Sequence, residues 1–155
     1  MLLFSWLIGA NALQAQIYDP GAAGALGALE GLRQLQAARE GMPPVELRVY
    51  GERDHDVFLG CLNCSEISQE SMKNPISIYG AAISPKSLFN RLSLYRNSFS
   101  SQSACNKLAT DPPVVVDAQG HYYGLLTLNP LNPKRTQYRA IAGWLDALCA
   151  GLLDK

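Results

Sequence analysis

The stretch that decides the architecture reads ISQESMKNPISIYGAA over 67–82, ISPKSLFNRLSLYRNS over 83–98 and FSSQSACNKL over 99–108. Ser68, Ser84 and Ser100 stand sixteen residues apart, and so do Ser71, Ser87 and Ser103, and Asn74, Asn90 and Asn106. Apolar columns keep the same step: Ile67, Ile83, Phe99; Met72, Leu88, Ala104; Ile76, Leu92, Leu108. Tyr79 and Tyr95 match as well, and Asp111 breaks that column. A fixed period of this length predicts tandem copies of one small unit, each burying its apolar face against the next.

Within a copy, Ser84 suits a helix N-cap, Pro85 the first helical position, and Asn90 the left-handed residue that ends a helix. Glu70 suits a first turn, and Pro75 directly after Asn74 prevents continuation. Each copy is therefore expected to be one helical turn followed by a short extended piece such as 92–95. A β-solenoid with serine and asparagine ladders is the alternative.

On either side of the block the pattern changes to period two. Val45-Glu46-Leu47-Arg48-Val49-Tyr50 alternates apolar and polar residues, Gly51–Asp56 is a charged turn, and Val57-Phe58-Leu59 resumes as a strand. After the block, Val114–Val116, the turn Asp117-Ala118-Gln119-Gly120 and Tyr122–Leu128 form a second hairpin signal. The two hairpins are expected to share one antiparallel sheet. Beyond Asn132-Pro133, Thr136 can cap a final helix whose Tyr138, Ile141, Leu145, Leu148 and Leu152 follow 3,4,3,4 spacing. The fold class is α+β: a small antiparallel sheet of two hairpins, a C-terminal amphipathic helix, and an inserted block of 16-residue tandem repeats.

The 155 residues divide into three parts. Residues 1–15 read as a signal peptide: an apolar run, Met1–Ala10, followed by small residues, and too short to span a bilayer. No Lys or Arg precedes Arg33, a departure from the usual basic start, and a buried N-terminal helix is the alternative. Residues 16–44 are a flexible segment and then a helix over Ala25–Glu40, striped by Leu26, Leu29, Leu32 and Leu35. Residues 45–155 form a single globular domain with the repeats at 67–108. The chain is therefore expected in the periplasm or outside the cell, without a stable membrane span after processing.

Cys61, Cys64, Cys105 and Cys149 would then meet an oxidising compartment, where disulfides persist. Three pairings are possible, and spacing does not choose among them. A bridge from Cys61 or Cys64 to Cys105 would clamp the repeat block at both ends. The alternative is chemistry at Cys61-Leu62-Asn63-Cys64: a zinc site of His55, Cys61, Cys64 and Cys105, or a thiol-redox pair.

Net charge is zero at pH 7, which gives no electrostatic reason to expect nucleic acid. No phosphate loop, dinucleotide fingerprint or nucleophile elbow is present. These absences favour a non-enzymatic module. Its weak candidate surface is Tyr79, Tyr95 and Phe99 with Asn74, Asn90 and Asn106, a polar face dotted with aromatics that suits an envelope component or glycan. The plainer reading has the serines cap turns and the tyrosines pack between copies.

Val49-Tyr50-Gly51, the run from Asp54 through Phe58-Leu59-Gly60-Cys61-Leu62-Asn63-Cys64, the Ser-x-x-Ser-apolar-x-Asn units, Pro112-Pro113-Val114-Val115-Val116-Asp117 and Tyr122-Tyr123-Gly124 occur in this order. Together they resemble a family of small, uncharacterised bacterial proteins, many of them exported, over roughly residues 47–129. In that family a tryptophan tends to precede the unit asparagine; here the position holds Lys73, Phe89 and Cys105. The resemblance implies export and repeats, and carries no activity.

Overall fold

In a computed structural model, residues 27–29 and 41–154 are described. The leader reading of residues 1–15 lies outside them, as does most of the helix expected over Ala25–Glu40. Of that helix, Gly27–Leu29 is helical and exposed.

Four strands and one helix frame the rest: β1 Leu47–Gly51, β2 Val57–Cys61, β3 Val114–Asp117, β4 Tyr122–Leu125 and α1 Arg139–Cys149. They form one antiparallel sheet in the order β2-β1-β3-β4. The two hairpins thus meet through their first strands, with Val49 opposite Val115. Alternation works as expected in β1: Leu47 and Val49 are wholly buried, while Arg48 and Tyr50 face the wetter side. There the Tyr50 and Phe58 rings lie 5.3 Å apart and Tyr79 meets the Phe58 edge at 4.9 Å.

Both outer strands bulge, β2 opposite Val49/Tyr50 and β4 opposite Val115/Val116. Each carries a glycine at the bulge, Gly60 at φ 116° and Gly124 at φ 108°. That conformation is costly for any side chain, and space forbids one too. A Cβ on Gly60 would lie 2.7 Å from Met72 Cγ, and one on Gly124 would lie 2.4 Å from Thr136 Cα.

Helix α1 buries Ile141, Leu145 and Leu148, the expected stripe. Its N-cap is Tyr138 with no side-chain cap; Thr136 instead closes a local turn by accepting from Tyr138 N at 3.3 Å. Leu152 falls beyond the helix and is 78% exposed.

Between β2 and β3 the structure departs from the expected helical turns: 67–108 contains no helix. The chain makes successive β-turns every three residues. Ser71 N bonds Ser68 O, Asn74 N bonds Ser71 O, Ser77 N bonds Asn74 O and Gly80 N bonds Ser77 O, all at 3.1–3.2 Å. The same ladder runs through Ser84, Ser87, Asn90, Ser93 and Arg96. At most steps the serine or asparagine side chain accepts from the amide two residues on, as in Lys73 N to Ser71 Oγ, Phe89 N to Ser87 Oγ and Leu108 N to Asn106 Oδ1; Ser93 Oγ is the exception and is buried without a partner among the described residues. The asparagine amides also reach back six residues: Asn74, Asn90 and Asn106 donate to the carbonyls of Ser68, Ser84 and Ser100 at 2.9–3.0 Å.

The apolar columns part company in this geometry. Met72, Leu88 and Ala104 are wholly buried and join Leu47, Val49, Val115, Ile141, Leu145 and Leu148 in one core. Ile67, Ile83, Phe99, Ile76, Leu92 and Leu108 are 83–93% exposed, so two of the three apolar columns lie outside the buried face. The inward positions go to the residues that close the turns: Ser71, Ser87 and Ser103 are fully buried.

Candidate functional site

All four cysteines are paired. Cys61 joins Cys64 with Cα atoms 5.6 Å apart, and Cys105 joins Cys149 at 5.4 Å. The clamp expected from Cys61 or Cys64 to Cys105 does not form. Cys61 ends β2, and the tight turn after it is pinned by Asn63, whose amide donates to Val45 O at 2.7 Å and whose Oδ1 accepts from Leu47 N at 2.8 Å. That turn presents Cys64 to Cys61 and leaves Cys105 to the end of α1. The long bridge adds to other links between the turn block and the helix. Phe89 packs edge-on against Trp144, and the buried Arg96 guanidinium donates to Phe89 O and Leu148 O.

Of the four residues considered for zinc, Cys61 and Cys64 come together and the other two stand elsewhere. Cys105 is bonded to Cys149, and His55 Nε2 lies 3.1 Å from Pro112 O. The carboxylate that does approach is Glu46, whose oxygen and the two sulfurs lie within 4.8 Å of one another. Glu46 also pairs with Arg48 at 2.9 Å.

The weak surface residues do not converge. Asn74, Asn90 and Asn106 spend their side chains on backbone bonds, Tyr95 is buried with its hydroxyl 3.2 Å from Glu52, and Tyr79 packs on Phe58. Burial first, and then the negative field of Glu52, push the Tyr95 phenol up to about 12. Phe99 alone among the six is fully displayed, at 93%.

At the second hairpin, Asp117 is nearly buried. Its Oδ1 accepts from Gln119 N and His121 N, and its Oδ2 from His121 Nδ1 at 2.7 Å and Tyr123 OH at 3.2 Å. Burial pushes this carboxyl up, but the His121 bond and the two amides outweigh it and hold the group below the usual carboxylate range. The effect is to lock the turn and orient the imidazole. No hydroxyl or thiol nucleophile contacts His121 among the described residues.

A cleft of about 810 Å³ has walls from three places: the β1–β2 turn, the end of the turn block and the 129–134 loop beside β4. Two non-glycine residues of that first turn are left-handed, Glu52 at φ 67° and His55 at φ 52°. Such backbone costs on the order of 1–3 kcal/mol each and concentrates at functional sites. Because a carbonyl can only accept, the contact with Pro112 O puts the proton on Nε2 of His55 and leaves Nδ1 an acceptor in the neutral ring. Tyr122 is half exposed, its ring fixed by donation to Lys134 O at 3.1 Å. Asp111 accepts from Thr110 and faces Arg53 at 4.0 Å. Sequence reasoning treats these positions as turns and breaks. The available signal was the doubled Asn-Pro of Asn129-Pro130 and Asn132-Pro133, a loop built by side-chain caps.

Comparison with family models, with curated proteins and with solved structures finds no match for this chain.

Proposed function

We propose that the chain is an exported, non-enzymatic structural or binding module acting on an envelope component or glycan. The observation that carries this reading is the complete pairing of its cysteines into two disulfides, one spanning 44 residues between the turn block and the helix. Covalent bracing of this kind belongs to oxidising compartments. The apolar run Met1–Ala10 and the resemblance of the Phe58–Cys64 segment to an exported bacterial family support the same reading. The described residues also contain no helix long and apolar enough to cross a membrane. Alkylation of the native protein with and without reductant, read by mass spectrometry, tests it. Four protected sulfurs are expected; free thiols on an unprocessed cytoplasmic chain would overturn it.

A second reading is a thiol-redox or zinc protein built on Cys61 and Cys64, favoured by the Glu46 carboxylate beside both sulfurs. Reduction would leave two thiolates and a carboxylate as ligands, a set that suits zinc. Stoichiometric zinc with free Cys61 and Cys64 in the native protein would reverse the ranking.

A further inference from the structure

The cleft beside Tyr122 has the chemistry of a particular ligand. Its volume, about 810 Å³, falls within the range of small-molecule sites. One wall is apolar, the half-exposed Tyr122 ring with Leu131, which is 88% exposed although the loop carrying it is well ordered by caps. The rest of the lining is largely polar and mixed in sign. His55, whose Nε2 is held at Pro112 O, and the Asp111 carboxylate line it and can accept. Asn129 and Asn132 spend their Oδ1 atoms on the amides of Leu131 and Lys134, and neither Nδ2 donates within the described residues.

A lining with alternating donors and acceptors suits hydroxyl groups, each of which does both. The apolar C–H face of a sugar ring suits the negative face of a tyrosine. Asp111 and Lys134 bring opposite charges to the same cleft, so these two side chains favour neither an anion nor a cation there. The strained turn supplies the remaining argument: a glycine or asparagine would hold a left-handed position more cheaply than His55, and His55 is the side chain that this turn delivers to the cleft.

We infer that this cleft binds a short neutral oligosaccharide, with a sugar ring stacked on Tyr122 and its hydroxyls bonded to His55, Asp111 and the two asparagine amides. The inference deepens the proposed binding module and rests on that reading.

The test is an NMR titration of the disulfide-bonded full chain with chitotriose, with maltotriose and, as a peptide arm, with trialanine. Saturable amide shifts at His55, Asp111 and Tyr122 with a saccharide are expected, absent with trialanine. Tyr122→Ala should weaken binding roughly thirtyfold, as loss of a central aromatic anchor does. Asp111→Asn, which keeps the shape, should weaken it while leaving the melting midpoint in place. Shifts with trialanine alone, shifts confined to the exposed columns of the turn block, or no shifts with any probe would each overturn the assignment. A chain with four oxidised sulfurs but a silent cleft loses this site and keeps the exported-module reading. Cleft shifts on a protein isolated with free thiols keep the site and sink that reading.

Discussion

The sheet and the turn block solve the same problem with different atoms. In the sheet, buried amides and carbonyls find partners on a neighbouring strand, so side chains need only alternate, and Leu47, Val49 and Val115 are chosen for bulk. In the block no neighbour supplies a ladder. Most partners are local carbonyls three residues back and the oxygens of Ser71, Ser87, Asn74 and Asn90 themselves, while the inward Met72 and Ala104 amides bond Cys61 O and Tyr95 O. Composition is therefore loosely constrained in the first region and tightly constrained in the second. The block must spend its inward positions on small polar residues, which leaves one apolar column of three to face the core. A region with so little apolar burial relies on outside support, and the bridge from Cys105 to Cys149 provides it.

Removing each bridge is the strongest way to separate the two regions. In the chain-entropy model, replacing Cys105 and Cys149 by Ala removes about 4 kcal/mol, while replacing Cys61 and Cys64 removes about 2 kcal/mol because their loop is so short. Denaturant titration measures both losses. Hydrogen exchange should show the first variant opening 67–111 ahead of the β1–β3 pair, and equal opening of both would break the distinction.

The columns give the next contrast. Leu88→Ala empties a fully buried core position and should cost about 3 kcal/mol. Leu92→Ala, four residues on and 88% exposed, should stay within about 0.5 kcal/mol. Asn90→Ala deletes the bond to Ser84 O and the one from Leu92 N, for about 1–2 kcal/mol. Asn90→Asp keeps the acceptor and loses the donor, so it should fall between Ala and the native residue. Thermal melts of the four proteins order these effects, and a Leu92 loss as large as that of Leu88 would show that the outer column is covered.

The same contrast explains what could be read in advance. Strand β1 and the stripe of α1 are legible because alternation and 3,4 spacing report directly on which side is buried: Val49 against Arg48, and Ile141, Leu145 and Leu148 along one face of the helix. The block is not legible in that way. An oxygen of serine or asparagine accepting from the amide two residues on occurs both at a helix start and in an isolated turn, so Ser84-Pro85 supports either until the chain beyond it is seen. Nor does spacing tell which of three apolar columns turns inward. The disulfide partners stayed open for a related reason, since Cys149 approaches Cys105 only once α1 is packed. The cleft was hidden because its walls come from three separated segments, each of which is an ordinary turn by itself.

Acid provides the finest comparison, because each region is tied by one carboxyl held below its usual range. Asp154 accepts hydrogen bonds from Arg91, which lower it most, and from the buried Arg96 at 2.6 Å, with burial opposing. It thereby ties the block to the C-terminal end of the domain. Asp117 is lowered by His121 and the turn amides against its own burial, and ties the second hairpin. A carboxyl lowered in the folded state adds stability that is fully present above its unfolded value, near 3.8, and is lost as pH falls through the folded value. Both contributions should therefore persist at neutral pH and fade only below that point. Asp154→Asn should flatten the acid loss seen by block amides, and Asp117→Asn the loss seen at Gln119 and His121. Amide-resolved exchange across the acid range separates them. If either substitution flattens both regions alike, block and sheet unfold as one unit in acid, and the local bonding that distinguishes them carries no separate stability.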